Sequence, residues 1–174
     1  RLRRAMVRPD RELLHGEAEV DETYLALTDR IDPISAAGRK SNTAKVLVAI
    51  AVEMLQPKGF GRIRIQRIDR GNHDHLMPFI KTSITPGSLI HSDGSPAYRQ
   101  LKENGYEHRQ TVHLGSATPA RESMPGVHRV ASLLQRWMMG THHGAVQPGQ
   151  LDYYLDEYVF RFNRRSSRSR GLLF

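Results

Sequence analysis

The feature of this sequence that most constrains its fold is one uninterrupted apolar run. Residues 46–52 (VLVAIAV) contain no polar side chain, and Lys45 and Glu53 bound the run on either side. The run has the length of a β-strand, and its valines and isoleucine are β-branched residues that favour strands. A strand that is apolar on both faces has to be covered on both faces. The sequence therefore predicts a sheet in the middle of a layered α/β domain.

The segments on either side of this run predict two further strands. In residues 17–27 the side chains alternate, so that Asp21 and Leu25 share one face of the strand. Residues 60–66 alternate basic and apolar side chains, as a half-exposed strand does. A Pro-Lys-Gly turn connects this strand to the apolar run. We expect these three strands to form an antiparallel meander.

The second half of the chain alternates predicted helices with predicted strands. Apolar spacing and caps predict helices over residues 72–83, 96–103, 127–139 and 150–163, and strands over 88–93 and 106–113. Gly140 is expected to end the third of these helices. Three antiparallel strands, followed by parallel strands alternating with helices, give an α/β fold. The order predicts an RNase H-like mixed five-stranded sheet flanked by helices.

Charge and composition indicate the kind of partner. The chain has 21 Arg and 5 Lys and a net charge of +8. Arg suits bidentate phosphate contacts, and a strongly basic domain is typical of nucleic-acid binding; a basic protein without a polyanionic partner is the alternative. The absence of Cys excludes disulfides and cysteine-ligated zinc. No stretch has the ~20 apolar residues of a membrane span, and the start is unlike a signal peptide, so we expect a cytoplasmic protein.

Two aspartates at strand positions are candidates for chemistry. Asp21 lies within the first predicted strand, and Asp93 ends the fourth. In an RNase H-like sheet these strands are neighbours, so their carboxylates can meet at one site. Mg²⁺ prefers oxygen ligands, usually one or two carboxylates plus substrate phosphate, and pairs of ions assist phosphoryl transfer. For Asp93, which precedes Gly-Ser-Pro, a helix cap or a turn is the alternative role.

Three segments of the chain resemble a known family. Residues 16–24 (GEAEVDETY) resemble the first catalytic motif of ISXO-like insertion-sequence transposases, a branch of the DDE superfamily related to Merlin elements. Residues 86–98 (PGSLIHSDGSPAY) resemble the second motif, and residues 151–165 (LDYYLDEYVFRFNRR) resemble the C-terminal helix. The matches run in order from about residue 14 to the end of the chain, and together they are specific.

The resemblance implies a DNA transposase. Strand cleavage and strand transfer at insertion-sequence ends would use Mg²⁺ or Mn²⁺, two ions, with Asp21 and Asp93 as the first two ligands. The expected partners are terminal inverted repeats, target DNA and a second copy of the chain. The implied organisation is a linker or the end of a preceding region over residues 1–15, a catalytic domain over 16–165 and a basic tail over 166–174.

Two positions depart from the pattern of the family. Its third acidic position falls on His128, and a later Lys position falls on Gln135, seven residues on and on the same helix face. Neutral His can bind metals, but it lacks the negative charge that helps Glu to hold Mg²⁺. A surface role is the alternative for His128, and Glu122 is an alternative ligand. Gln135 supplies no cation to a phosphate, which leaves that role to Arg129 or Arg136.

The C-terminal arginines are further candidates for DNA contact. Arg161, Arg164 and Arg165 alternate with Phe162 and Asn163, and we expect them to bind the DNA backbone. The alternative is a solvated helix end that the helix dipole favours. Two other functions stay open at this point. One is a catalytically inactive transposase remnant that only binds DNA, and the other is an RNase H-like nuclease.

Overall fold

The computed structural model of the protein describes Met6 and residues 11–28, 43–111, 123–142 and 146–167. Its strands are β1 (Glu17–Thr28), β2 (Thr43–Met54), β3 (Phe60–Arg67), β4 (Leu89–Ser92) and β5 (Glu107–Gln110). Its α-helices are α1 (His73–Ser83), α2 (Pro125–His142) and α3 (Leu151–Asn163). Short 3₁₀ helices lie at Pro96–Tyr98 and Pro148–Gln150.

The five strands form one mixed sheet in the order β3-β2-β1-β4-β5. The pairs β1–β2 and β2–β3 are antiparallel. The pairs β1–β4 and β4–β5 are parallel. This is the order of an RNase H-like sheet, so the predicted fold is confirmed.

The apolar run lies in β2 and is buried on both faces. Val48, Ile50 and Val52 face a core that α2 and α3 complete. Ala49 and Ala51 face a second core, made with α1 and the segment around Tyr98. All five β2 side chains are at most 1% exposed. The two-faced burial expected from the sequence is therefore confirmed.

Two of the four predicted helices end at a different residue than expected. The helix expected over residues 96–103 is only a 3₁₀ turn at Pro96–Tyr98, followed by turns to Gly105. Tyr98 and Leu101 are both fully buried in the second core, so this segment still contributes to packing. The helix expected to stop at Gly140 continues to His142, because an interior glycine costs a helix about 1 kcal/mol but does not end it.

The end of α3 protects the open edge of the sheet. β3 is an edge strand, and the Asn163 side chain accepts a hydrogen bond from the Ile63 N–H (2.7 Å) and donates one to the Ile63 carbonyl (3.2 Å). Arg165 donates to the carbonyls of Phe60 and Gly61. These side chains take hydrogen-bonding groups that an exposed edge would offer to another strand. The Arg-Phe-Asn-Arg-Arg segment therefore has a structural role.

A buried ion pair joins β2 to β3. Glu53 is 5% exposed and accepts hydrogen bonds from the backbone N–H (3.0 Å) and the guanidinium (3.2 Å) of Arg62. Burial by itself raises the pKa of Glu53, but the hydrogen bonds and the charge of Arg62 outweigh it, so the pKa is lowered from 4.5. The ionised carboxylate therefore stabilises the folded chain.

We predict that Glu53→Gln lowers the free energy of unfolding at neutral pH by about 1–3 kcal/mol, because it weakens a charged hydrogen-bond network. The pKa is lower in the folded chain, so this contribution is fully present above the ordinary value of 4.5 and is lost as the pH falls through the folded-state pKa. Urea unfolding at neutral pH and at about pH 3 should show the deficit shrinking on acidification. The exposed Glu103→Gln is the control, and an equal Glu53→Gln deficit at both pH values would contradict the prediction.

Candidate active site

Asp21 and Asp93 lie at the same level on neighbouring parallel strands. The last observed pair of β1 with β4 is Glu19↔His91, and each aspartate lies two residues beyond it. Leu25 and Leu27 face the core beneath α2 and α3, so the alternation of β1 directs Asp21 to the same side. The sheet therefore brings the two predicted carboxylates together at the side that α2 covers.

The electrostatics of Asp21 show which groups surround it. Burial raises its pKa most, and the negative charge of Asp93 raises it further. The Glu22 backbone N–H, which donates to Asp21 Oδ1 at 2.9 Å, and His128 both lower it. The net pKa is raised. Asp93 and His128, the other two residues that the sequence suggested as metal ligands, therefore both lie within electrostatic range of Asp21.

Asp93 also shapes the turn that follows β4. Its Oδ1 accepts a hydrogen bond from the Ser95 N–H at 2.9 Å, and the Ser95 hydroxyl in turn accepts one from Ala97. The turn role considered for Asp93 is therefore real, and it occupies one carboxylate oxygen. No hydrogen bond from a described residue holds Oδ2 of Asp93, so this side chain keeps an oxygen for another ligand.

His128 is the fourth residue of α2 and is partly buried. Its Nε2 atom is buried and has no hydrogen-bond partner among the residues described. A buried polar atom without a partner costs about 1–3 kcal/mol, so its presence needs an explanation. Since an imidazole nitrogen can bind a metal ion, this atom beside Asp21 is a suitable additional donor for a cation.

The side chains at this site are suitable ligands for a hard divalent cation, but they are few. The part of the chain that the structure describes contains no group of three or more His, Asp or Glu side chains arranged to hold a metal ion. The arrangement instead offers two carboxylates, with His128 nearby. Mg²⁺ is commonly bound by one or two carboxylates, with waters and substrate phosphate completing its shell. The chemistry of the pair therefore suits Mg²⁺ or Mn²⁺.

A second carboxylate of β1, Glu19, fixes the start of α2. It is 3% exposed and accepts a hydrogen bond from the Val127 N–H at 2.9 Å. Burial raises the pKa of Glu19, while hydrogen bonds from Val127 and Gly126 oppose the rise. The first N–H groups of a helix lack partners within the helix, and negative charge is favourable there. Glu19 therefore anchors α2 one residue before His128.

Gln135 anchors the same helix further along β1. Its side-chain amide donates to Thr23 Oγ1 (3.3 Å) and to the Tyr24 carbonyl (3.4 Å). Eight residues of helix from Val127 rise about 12 Å, close to the roughly 13 Å that four strand residues cover from Glu19 to Thr23. Helix and strand therefore run side by side in the same direction, with Asp21 between the two anchors. Gln135, the residue at the expected Lys position, therefore holds α2 against β1.

Two residues near the site were missed by sequence reasoning. Glu22 follows Asp21 but points to the opposite face, and burial followed by the charge of Asp21 raises its pKa to about 7. The hydroxyl of the fully buried Tyr98 approaches Glu22 and favours its charged form, without reaching hydrogen-bond geometry. Both lie inside the motifs quoted above, but nothing in strand alternation or composition distinguishes them.

The predicted DNA-binding arginines lie in two places. Arg129 and Arg136 are exposed on α2, the helix that carries His128. The other three are near the β3 edge: Arg161 pairs with Glu157 (2.8 Å), Arg164 stacks on Phe160 (4.0 Å), and Arg165 stacks on Phe162 (4.1 Å). DNA binding by all five stays a prediction. Glu122, the alternative ligand, lies outside the described residues.

Comparison with known proteins decides the family. The ISXO2-like transposase domain matches residues 13–163, most of the chain. The chain belongs to this transposase family. The resemblance of the three sequence motifs is therefore confirmed, and the protein is assigned to the DDE transposases by family.

The other comparisons add little to this transposase assignment. Among solved structures, the Mos1 transposase paired-end complex with left transposon end is similar at 13% identity and a TM-score of 0.39. That match covers 87% of this chain and 53% of the other, so the chain spans about half the length of that transposase. No curated protein matches the chain. In its described part, no helix is long and apolar enough to cross a membrane.

The anchoring of α2 in this transposase domain predicts that alanine substitutions at two of its glycines have opposite effects on stability. A Cβ at Gly126 would lie 2.9 Å from Glu19 Oε2 and 3.0 Å from Met54 Sδ, whereas a Cβ at Gly140 meets nothing within 4 Å. We expect Gly126→Ala to lower the free energy of unfolding by about 1–3 kcal/mol through overpacking. Gly140→Ala should raise it by up to about 1 kcal/mol through helix propensity.

Denaturant unfolding of the two single variants and the unsubstituted chain measures this difference. Because the substitutions are the same and lie in one helix, their opposite signs separate local crowding from general helix propensity. A Gly126→Ala variant as stable as Gly140→Ala would mean that the Glu19 contact does not constrain α2.

Proposed function

We propose that this domain is the metal-dependent catalytic core of a DNA transposase, which cleaves the ends of an insertion sequence and joins them to target DNA. The observation that carries the proposal is the Asp21–Asp93 pair. The two carboxylates lie at one level of adjacent parallel strands, and the charge of Asp93 raises the pKa of Asp21. Membership in the transposase family supports the same reaction, and the family implies use of a divalent metal.

In this proposal Asp21 and Asp93 hold Mg²⁺ or Mn²⁺, two ions, with His128 as a further ligand. Bound there, the ions would supply activation of the attacking oxygen and neutralisation of charge at the phosphate. The residues of the chain itself orient the two carboxylates and the helix that carries His128. The Glu22 and Ser95 N–H groups each hold one carboxylate oxygen in place, and the Glu19 contact fixes the helix that carries His128.

The DNA partner follows from the same site and from the charge of the chain. The exposed Arg129 and Arg136 lie on α2, where they can contact the backbone of DNA bound at the carboxylates. We propose terminal inverted repeats and target DNA as the substrates, with two copies of the chain acting on paired ends. The proposed location of the protein is the cytoplasm, with the DNA of a bacterial-type cell. Residues 16–165 are the proposed catalytic domain, with the basic tail after it.

A specific observation favours a second candidate, a transposase remnant that binds DNA without cleaving it. The amide of Gln135 is bonded to β1 and supplies no cation, and the described residues contain no third carboxylate grouped with Asp21 and Asp93 for a metal. A remnant would retain the basic surface of the chain. It would bind DNA equally well with and without a divalent ion.

A cleavage and strand-transfer assay on terminal-repeat DNA with Mg²⁺ or Mn²⁺ tests the proposal. We expect Asp21→Asn and Asp93→Asn each to lower the rate by at least about 100-fold, because each removes charge from the reacting centre. Asp69→Asn is the matched control, since the Asp69 side chain is 88% exposed. An Asp93→Asn rate equal to that of the unsubstituted chain would refute the site. DNA binding without cleavage in either ion would favour the remnant.

A further inference from the structure

A cavity of about 520 Å³ opens at the β3 edge of the sheet. It lies between α3 and the segment at residues 11–12, and β3 is separated from β1, the strand of Asp21, by β2. Strands lie about 4.8 Å apart, so the cavity is roughly 10 Å or more across the sheet from Asp21. Among the described residues, its charged lining side chains are four cations and two carboxylates: Arg11, Arg62, Arg64, Arg164, Glu12 and Asp156.

The inner wall of the cavity carries two guanidinium groups that are fixed in place. Arg62 is held between Glu12 (2.8 Å) and Glu53 (3.2 Å). Arg64 is 3% exposed, and it donates to the carbonyls of Ile63 (2.9 Å) and Glu12. The Nε of Arg64 is buried and has no hydrogen-bond partner within the described structure. A guanidinium so deeply buried is costly unless negative charge compensates it.

The balance of charged side chains around the cavity favours binding of an anion. Burial lowers the pKa of Arg64 to about 10, the neighbouring Arg11 and Arg62 add to the shift, and Glu53 and Glu12 oppose it. Glu12 pairs with Arg62. Burial raises the pKa of Asp156, which Arg11 opposes and Asp152 reinforces. With Glu12, Asp156 and the adjoining Glu53 all ionised, the four cations of the described lining still leave a net positive charge.

Two of the cations are accessible at the surface. Arg11 is exposed, and Arg164 is partly buried and stacks on the Phe160 ring at 4.0 Å. Stacking restricts the guanidinium plane of Arg164. A guanidinium presents parallel N–H groups that match two oxygens of a phosphate. The two side chains therefore provide the donors that a surface phosphate needs.

We propose that this cavity binds a phosphate group of the DNA backbone, which gives the domain a second DNA contact at the β3 edge. Arg11 and Arg164 make the contact, and Arg62 and Arg64 supply positive charge behind it. Asp156 weakens the contact through its own negative charge. This inference rests on the proposed function, because it takes DNA to be the ligand of the domain.

The test measures binding of terminal-repeat duplex DNA to the full chain by fluorescence anisotropy, in EDTA and over a range of salt. We expect the double variant Arg11→Ala/Arg164→Ala to bind about 10-fold more weakly, with the salt slope reduced by about 1–2. Asp156→Asn should bind about 3-fold more tightly, since it removes a repulsive charge. The control Lys58→Ala/Lys81→Ala removes two exposed cations elsewhere and should keep the slope of the unsubstituted chain.

If the arginine double variant loses no more DNA affinity than the lysine double variant, the proposal is overturned, because the change in net charge alone would then explain the loss. An arginine double variant with unchanged affinity and slope also overturns it. A further arm adds inorganic phosphate at constant ionic strength, which should displace DNA from the unsubstituted chain more than from the arginine double variant. If inorganic phosphate binds at the arginines while DNA affinity stays unchanged, the cavity is a free-phosphate site and the proposal fails.

EDTA separates this result from the proposed catalysis. The Arg11/Arg164 effect needs no metal ion, so it stands or falls independently of Asp21 and Asp93. Suppose that Asp93→Asn loses cleavage while the arginine double variant binds DNA like the unsubstituted chain. The proposed catalytic function would then stand, and the proposed phosphate site in the cavity would be rejected. The reverse outcome would retain the cavity and reject the catalytic role.

Discussion

The hydrogen bond from the Val127 N–H to the buried Glu19 carboxylate is the contact on which the candidate site depends. β1 carries Glu19 and Asp21, two residues apart on one face, and α2 begins against the first of them. The position of His128 relative to Asp21 therefore follows from one carboxylate at one helix start. Gly126 belongs to the same contact, since only a residue without a side chain lets Glu19 approach so closely. Gln135 then holds the helix parallel to the strand.

The site concentrates negative charge in a chain whose net charge is positive. Burial raises the pKa of Glu19, Asp21 and Glu22, and the charge of Asp93 adds to the rise for both Asp21 and Glu22. Carboxylates so arranged repel each other in the folded state, and a divalent cation offsets this repulsion. The arginines proposed for DNA contact lie elsewhere, on the exposed side of α2 and at the β3 edge. Charge is thus divided between a site suited to cations and surfaces suited to phosphate.

The sequence predicted those parts of the fold and site that local pattern determines. The apolar run of β2 and the order of strands and helices predicted the sheet. The alternation around Asp21 and the family motifs indicated the carboxylate pair, whose role as metal ligands stays a prediction. The contacts between distant segments could not be predicted: Glu19 and Val127 are 108 residues apart, and no pattern links a strand carboxylate to a helix start. The 3₁₀ turn that stands in place of the helix expected over residues 96–103 was likewise not predicted. The edge-protecting role of Asn163 depends on β3, 100 residues earlier.

The central claim is that Asp21 and Asp93 bind the same divalent ions, and a calorimetric Mn²⁺ titration of the two single variants and the double variant tests it most directly. If the ions are shared, Asp21→Asn and Asp93→Asn each weaken Mn²⁺ binding by about 10-fold or more, and the double variant loses much less than the two losses added together. Mn²⁺ affinity in both single variants equal to that of the unsubstituted chain would contradict the account.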